Sequence, residues 1–204
     1  IGLEEFLDGR VDFAEVTQII MDGLDELVYR EIAKALATSV AQLPDANKAA
    51  VAGFDEAAMD RLLAVAGMYG TPTIYCTYEF AVKMVPAEGW ISEAMKDEKW
   101  ANGYFASYKG HRVIVLPQGF EDETNQTKQI DPGYCWIIPI GSEGKPVKVA
   151  FEGSTIVDEY VNKDRSREIQ VYKKGGVGVM MTNNICSYVD TALLHHMSTL
   201  DTIV

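Results

Sequence analysis

The stretch from Asp12 to about Ala41 constrains the fold most. Phe13, Val16, Ile20, Leu24, Leu27, Ile32, Ala35 and Leu36 recur there at three- and four-residue intervals, with Asp22, Glu26, Arg30 and Lys34 between them. Apolar residues at that period line one face of an α-helix. The spacing predicts one amphipathic helix, roughly 45 Å long at a rise of about 1.5 Å per residue. Asp12 is placed to cap it, with Glu15 three residues on as an acidic version of the capping box, and Pro44 stops the run. Helices average about 11 residues, so one of this length bridges lobes or runs along a surface as a spine. Gly23, inside it, costs about 1 kcal/mol against alanine and leaves room for a kink or a close backbone contact.

The rest of the chain changes period several times. Ala46 to Gly53 is small and featureless. Asp55 caps a second predicted helix through Met59, Leu62, Leu63 and Ala66, ended by Gly67 and Gly70. Thr73 to Thr77 reads as a short strand, Glu79 to Val85 as a short helix, and Ser92 to Trp100 as a helix capped by Ser92. Phe105 to Tyr108 and Arg112 to Leu116 flank Lys109-Gly110-His111 and predict a hairpin. Gln118 to Lys128 is polar and is expected to be a solvated, mobile loop.

Strands are then predicted at Tyr134 to Pro139, Val147 to Phe151, Ser154 to Tyr160, Glu168 to Lys173 and Val177 to Thr182, broken by Gly141, Gly144, Gly153 and Gly175-Gly176. Tyr188 to Met197 is expected to form a last short helix. Helices followed by such a block of strands argue for an α+β architecture. There is no internal repeat and no low-complexity linker.

Composition narrows the function. The chain has 204 residues and 22.5 kDa, enough for one large domain or two interleaved lobes burying about 70% of the unfolded surface. Acidic residues outnumber basic ones 30 to 18, giving a net charge of −12. Such a surface repels a phosphate backbone, which makes free nucleic-acid binding a poor assignment. Cys76, Cys135 and Cys186 are far apart, odd in number and without CxxC spacing, the pattern of buried thiols in a reducing compartment. The apolar runs, such as Ile137 to Ile140, are too short to span a bilayer. Because the chain opens on Ile1, it is expected to be proteolytically matured or part of something longer.

Candidate chemistry is sparse. His195 and His196, as neighbours on a helix, would point about 100° apart, unlike metal ligands at i and i+4. His111 lies beside the hairpin turn without a partner nucleophile. Gly175-Gly176-Val177-Gly178 lacks phosphate-loop spacing and falls between strands, which makes it a turn or bulge. Glu4-Glu5 and Glu121 to Glu123 sit in polar segments as solvated faces. Cys135 reads as a core filler, and Trp90, Trp100 and Trp136 as core residues or interface anchors. No catalytic residue, metal ligand or cofactor-binding residue is expected.

The order of elements resembles the major capsid proteins of tailed phages, the Hong Kong 97 type also used by encapsulins. Leu3 to Phe13 leading into the long helix resembles the approach to that family's spine helix. Phe54 to Val85, with Pro72-Thr73-Ile74-Tyr75 and Glu79-Phe80-Ala81, resembles its axial domain, and Tyr108 to Val115 the strand pair that follows. Val149 to Gly153, Arg167 to Val171 and Gly176 to Val179 resemble the return through the peripheral sheet. The resemblance implies peripheral-domain segments at 1–43, with the spine helix, and at 145–178, and axial-domain segments at 44–144 and 179–204. The family's N-terminal arm and extended loop would lie upstream of Ile1.

Its functional implication is a subunit that assembles with itself, as pentamers and hexamers, into the icosahedral shell of a tailed phage or prophage. Scaffolding and portal proteins would be partners, and DNA would be enclosed without sequence-specific contacts or any membrane. The protein would be made in the bacterial cytoplasm and end in the virion. Alternatives are an encapsulin-like compartment shell, a small-molecule α+β enzyme favoured by the glycines near Gly176 and by Cys135, and a tail or adaptor protein.

Overall fold

The computed structural model describes residues 13–84, 92–141, 144–161, 163 and 167–194. The lead-in before Phe13, with Asp12, Glu4 and Glu5, lies outside them, as do Trp90 and the two adjacent histidines. The chain divides into two compact units, one of Ile1–Ala35 with Val147–Gly178, the other of Leu36–Pro146 with Val179–Val204.

The first unit holds most of helix α1, Phe13–Ser39, whose last turn belongs to the second. Two short 3-10 turns follow it, the first after Ser39 and the second after Pro44. The helix continues through Gly23, and apart from the helix's own backbone no described residue comes within 4 Å of a Cβ built there. Along its exposed side the Gln18 amide donates to Asp22 at 2.8 Å, one turn on. The unit's other element is a two-stranded ribbon of β6, Val147–Val161, and β7, Arg167–Val179. Lys173 ties β7 to the helix through Asp25 at 3.3 Å, and its ammonium lies 4.3 Å from the centre of the Phe151 ring.

Gly153 and Gly175-Gly176 were expected to break four short strands, yet two long ones run through them. Gly153 has φ +76, a conformation glycine adopts without strain, and so bends the strand without ending it. At Gly175 a Cβ would come within 2.7 Å of the Phe151 ring, so the missing side chain is what lets that ring lie across the ribbon.

The second unit is built on a six-stranded mixed sheet in the order β1-β8-β5-β2-β4-β3. The strands are β1 Lys48–Val51, β2 Thr71–Cys76, β3 Ser107–Tyr108, β4 His111–Val115, β5 Tyr134–Ile140 and β8 Cys186–Asp190. β1 pairs with β8, and β2 with β4, in parallel; the other neighbours are antiparallel. Helix α2, Glu56–Gly67, buries Met59, Leu62, Leu63 and Ala66, the i, i+3, i+4, i+7 stripe read from the sequence. They share one core with Ile74, Cys76, Phe80, Cys135, Ile137 and Tyr188. Full burial of each large apolar side chain is worth about 1.5–3 kcal/mol.

Asp55 caps α2 by accepting from the Ala57 N–H at 3.0 Å. Helix α3, Tyr78–Lys83, follows β2 directly, and helix α4, Glu93–Asn102, is capped by the Ser92 hydroxyl, which accepts from the Met95 N–H at 3.3 Å. The hairpin turn is two residues, not three: Tyr108 pairs with His111, and Lys109 and Gly110 have φ +48 and +84. Positive φ at both central residues matches the right-handed twist of the flanking strands. Lys109 Nζ reaches Glu56 and Asp60 on α2, each at 2.6 Å.

Two further expectations fail, and a third is met in part. The featureless segment after Ala46 contains strand β1, which alanine propensity alone would not predict and which parallel pairing with β8 imposes. Of the helix expected from Tyr188 to Met197, Tyr188 to Asp190 are instead the end of β8, flanked by strands on both sides and buried at every residue, so they carry no period for a sequence reading to find, and 195–197 lie outside the described residues. The loop from Gln118 to Lys128 is mostly exposed to solvent, as expected, and is held as a turn by its own hydrogen bonds. The Glu121 N–H donates to the Thr127 carbonyl at 2.8 Å, and the Gln118 side chain both donates to and accepts from the Ile130 backbone, at 2.6 and 3.0 Å.

Candidate assembly surfaces

Among the described residues, no three His, Cys, Asp or Glu side chains are grouped so as to hold a metal ion. Cys76, Cys135 and Cys186 are fully buried and reduced. Burial, with Cys76 beside it, pushes the Cys135 thiol well up, away from the thiolate that nucleophilic chemistry needs. Burial likewise pushes Cys186 up to about 12. His111 is half-buried in β4, and Gly175-Gly176 lies inside β7 rather than ahead of a helix. Glu121 and Glu123 are exposed, while Asp122 between them is engaged by the turn, accepting from the Gln126 and Thr127 N–H groups at 3.0 and 2.7 Å. No described helix is long and apolar enough to cross a membrane.

Asp190 went unnoticed in the sequence, where it is a lone acid after an apolar run. It is buried at the end of β8. Its Oδ1 accepts from the Gly53 and Ala192 N–H groups at 2.8 and 2.9 Å, and Lys83 Nζ stands 3.5 Å from Oδ2. A buried carboxylate is tolerable only when so partnered. Beside it the Tyr188 hydroxyl accepts from the Asp55 N–H at 2.7 Å and donates to the Gly53 carbonyl at 2.8 Å. This cluster fastens the β1–α2 connection to the sheet, with Asp190 Oδ2 buried and facing only the Lys83 ammonium.

The molecule turns apolar surface outward instead. On the ribbon, Val149, Phe151, Ile156, Val157, Tyr160 and Tyr172 are exposed, and on α1 so are Ile19, Leu27 and Tyr29. A two-stranded ribbon is marginal in water on its own, and apolar patches of this kind mark surfaces that another molecule covers. In the second unit Met68 and Tyr69 follow α2, and Ile140 ends β5 where Thr71 pairs with it. The tryptophans part company: Trp136 is buried in β5, stacked on Tyr134 at 5.8 Å, whereas Trp100 on α4 is 93% exposed.

Solved structures from quite different sources share this fold. A phage-related protein from Bordetella bronchiseptica RB50 matches 89% of this chain and 68% of its own, with 14% identity and a TM-score of 0.62. A structure from Mycobacterium phage Che8 matches 94% of this chain and 68% of its own, with 11% identity and a TM-score of 0.60. A virus-like particle from Pyrococcus furiosus matches 92% and 71%, with 16% identity and a TM-score of 0.51. At such identities the agreement concerns the fold, which is that of the resemblance read from the order of elements. No curated protein matches the sequence. The sequence profile of the family described as "SPbeta prophage-derived putative capsid protein YonB" matches residues 1–190. With the profile running through β8, the chain belongs to that family, and the capsid role in the family's description makes it a shell-forming structural subunit.

Proposed function

We propose that this subunit forms the icosahedral shell of a tailed phage or prophage, in pentamers and hexamers, around DNA that it contacts without sequence preference, and that it carries out no catalysis of its own. In this reading the unit of α1 and the ribbon is the peripheral domain, and the unit built on the six-stranded sheet is the axial domain. The division of the chain at Ala35, Pro146 and Gly178 supports that assignment. The observation that carries the reading is the β6–β7 ribbon. Among the described residues its strands of 15 and 13 residues pair only with each other, and Val149, Phe151, Ile156, Val157, Tyr160 and Tyr172 on them are exposed.

The excess of negative charge favours an interior that does not adhere to packaged phosphate. Scaffolding and portal proteins are the further partners such a shell would take, and assembly would begin in the bacterial cytoplasm. The experiment is to purify assembled particles after prophage induction and digest them with nuclease. Nuclease-protected DNA in the particles is the expected result. Particles that protect no nucleic acid and hold one co-purifying protein would make this a cargo compartment instead.

A further inference from the structure

Cys76 and Cys135 are distant in sequence, but the fold sets them opposite each other as Cα partners in the antiparallel β2–β5 ladder. The same ladder sets Pro72 opposite Pro139. Neither proline has an N–H to give the other, so theirs is one of the ladder's non-hydrogen-bonded positions. Hydrogen-bonded and non-hydrogen-bonded positions alternate, which puts Ile74–Ile137 and Cys76–Cys135 in the same class. The backbone of Cys76 agrees. Its carbonyl accepts from the Leu116 N–H at 2.8 Å, just past β4, the neighbour of β2 on the side away from β5. At such positions the Cα atoms stand about 4.5 Å apart and the side chains come closest, inside the window of about 4.4–6.8 Å that a disulfide spans.

Both side chains are fully buried. Burial, and after it a hydrogen bond with Cys76, raise the Cys135 thiol, so the two groups touch. Cys186 supplies the comparison. It lies opposite Ile137, two residues along β5 from Cys135, and such diagonal neighbours are about 7–8 Å apart, too far for a bridge without backbone movement. A reducing cytoplasm keeps the pair as thiols, and burial leaves an oxidant to enter by local opening. Cys76 ends β2 and Cys135 is the second residue of β5, so opening need involve only that end of the ladder.

We infer that Cys76 and Cys135 form a latent disulfide site, closed by a small peroxide once the subunit has left a reducing compartment, and that the bond locks the six-stranded sheet. One thiol attacks the peroxide O–O bond, becoming a sulfenic acid and releasing water. The other thiol then attacks that sulfur, forming the S–S bond and releasing a second water. The pair gives up two electrons and two hydrogens, and hydrogen peroxide leaves as two molecules of water. The bond ties the sheet across a loop of about 60 residues, which removes freedom from the unfolded chain. The inference concerns the sheet unit alone and stands whether or not the shell encloses DNA.

The test uses the full-length protein, purified under reductant, then freed of it and exposed to hydrogen peroxide. After denaturation a maleimide should count three thiols before exposure and one, Cys186, after it. Trypsin without reduction should yield peptides 62–83 and 129–148 as a linked pair, each carrying one cysteine. Oxidation should raise the melting midpoint by about 10 °C, and dithiothreitol should return it. Cys135→Ala should lose both the link and the shift, whereas Cys186→Ala should keep them. Three thiols surviving exposure, sulfinic acid in place of the link, a bond to Cys186 or between chains, or a linked protein that melts no higher would each overturn the inference. All four are read on the unmodified protein, so the result does not depend on the folding of a variant.

Discussion

Asp122 accepts hydrogen bonds from the Thr124 hydroxyl and from the Gln126 and Thr127 N–H groups, and these hold its carboxyl below the ordinary carboxylate range. A carboxylate depressed by folding adds stability above its unfolded value of about 3.9, and loses it as pH falls through the lower folded value. The amide resonances of Gln126 and Thr127 should therefore move together in one titration centred below pH 3.9, and Asp122→Asn should abolish it. A titration at or above that value would mean that the turn is not held this way. The thiols give a second residue-scale prediction. Cys76, Cys135 and Cys186 are fully buried, so a thiol reagent at pH 8 should label none in the folded protein and all of them after denaturation. Labelling of Cys135 in the folded state would contradict its place in the core. Its role as a filler was legible from its setting between Tyr134 and Trp136, but the turn around Asp122 was not, because a run of polar residues reads alike whether or not it bonds to itself.

Helices announced themselves through their period and caps. Met59, Leu62, Leu63 and Ala66 could be placed on one face of α2 before any coordinates, and Asp55 could be named as the cap. Asp55→Ala should lower unfolding stability by about 1 kcal/mol, measured in urea, and an unchanged midpoint would show the cap to be idle. The strands were less legible, for three physical reasons. β1 is alanine-rich and held by its partner rather than by its own propensity. β8 is buried on both faces and has no alternation. In the ribbon, glycine punctuates the sequence without ending the strands, since Gly175 makes room for Phe151 rather than for a turn. The assembly surfaces were the least legible of all. Trp100 and Trp136 look equally suited to a core, and only the burial of Trp136 in β5 and the exposure of Trp100 on α4 separate them.

At the scale of the molecule, an acidic chain whose copies repel one another carries exposed apolar residues on its ribbon and on its sheet unit. Salt shortens the range of the repulsion, to about 10 Å at 0.1 M, while leaving apolar contact intact. Assembly should therefore rise with ionic strength, whereas an interface dominated by ion pairs would weaken. The most direct measurement is light scattering after size exclusion, with negative-stain microscopy of the same fractions, on the full-length protein across salt and protein concentration. Closed shells or rings that become more abundant as salt is raised are the expected result of shell assembly. A protein that stays monomeric under every condition would contradict it.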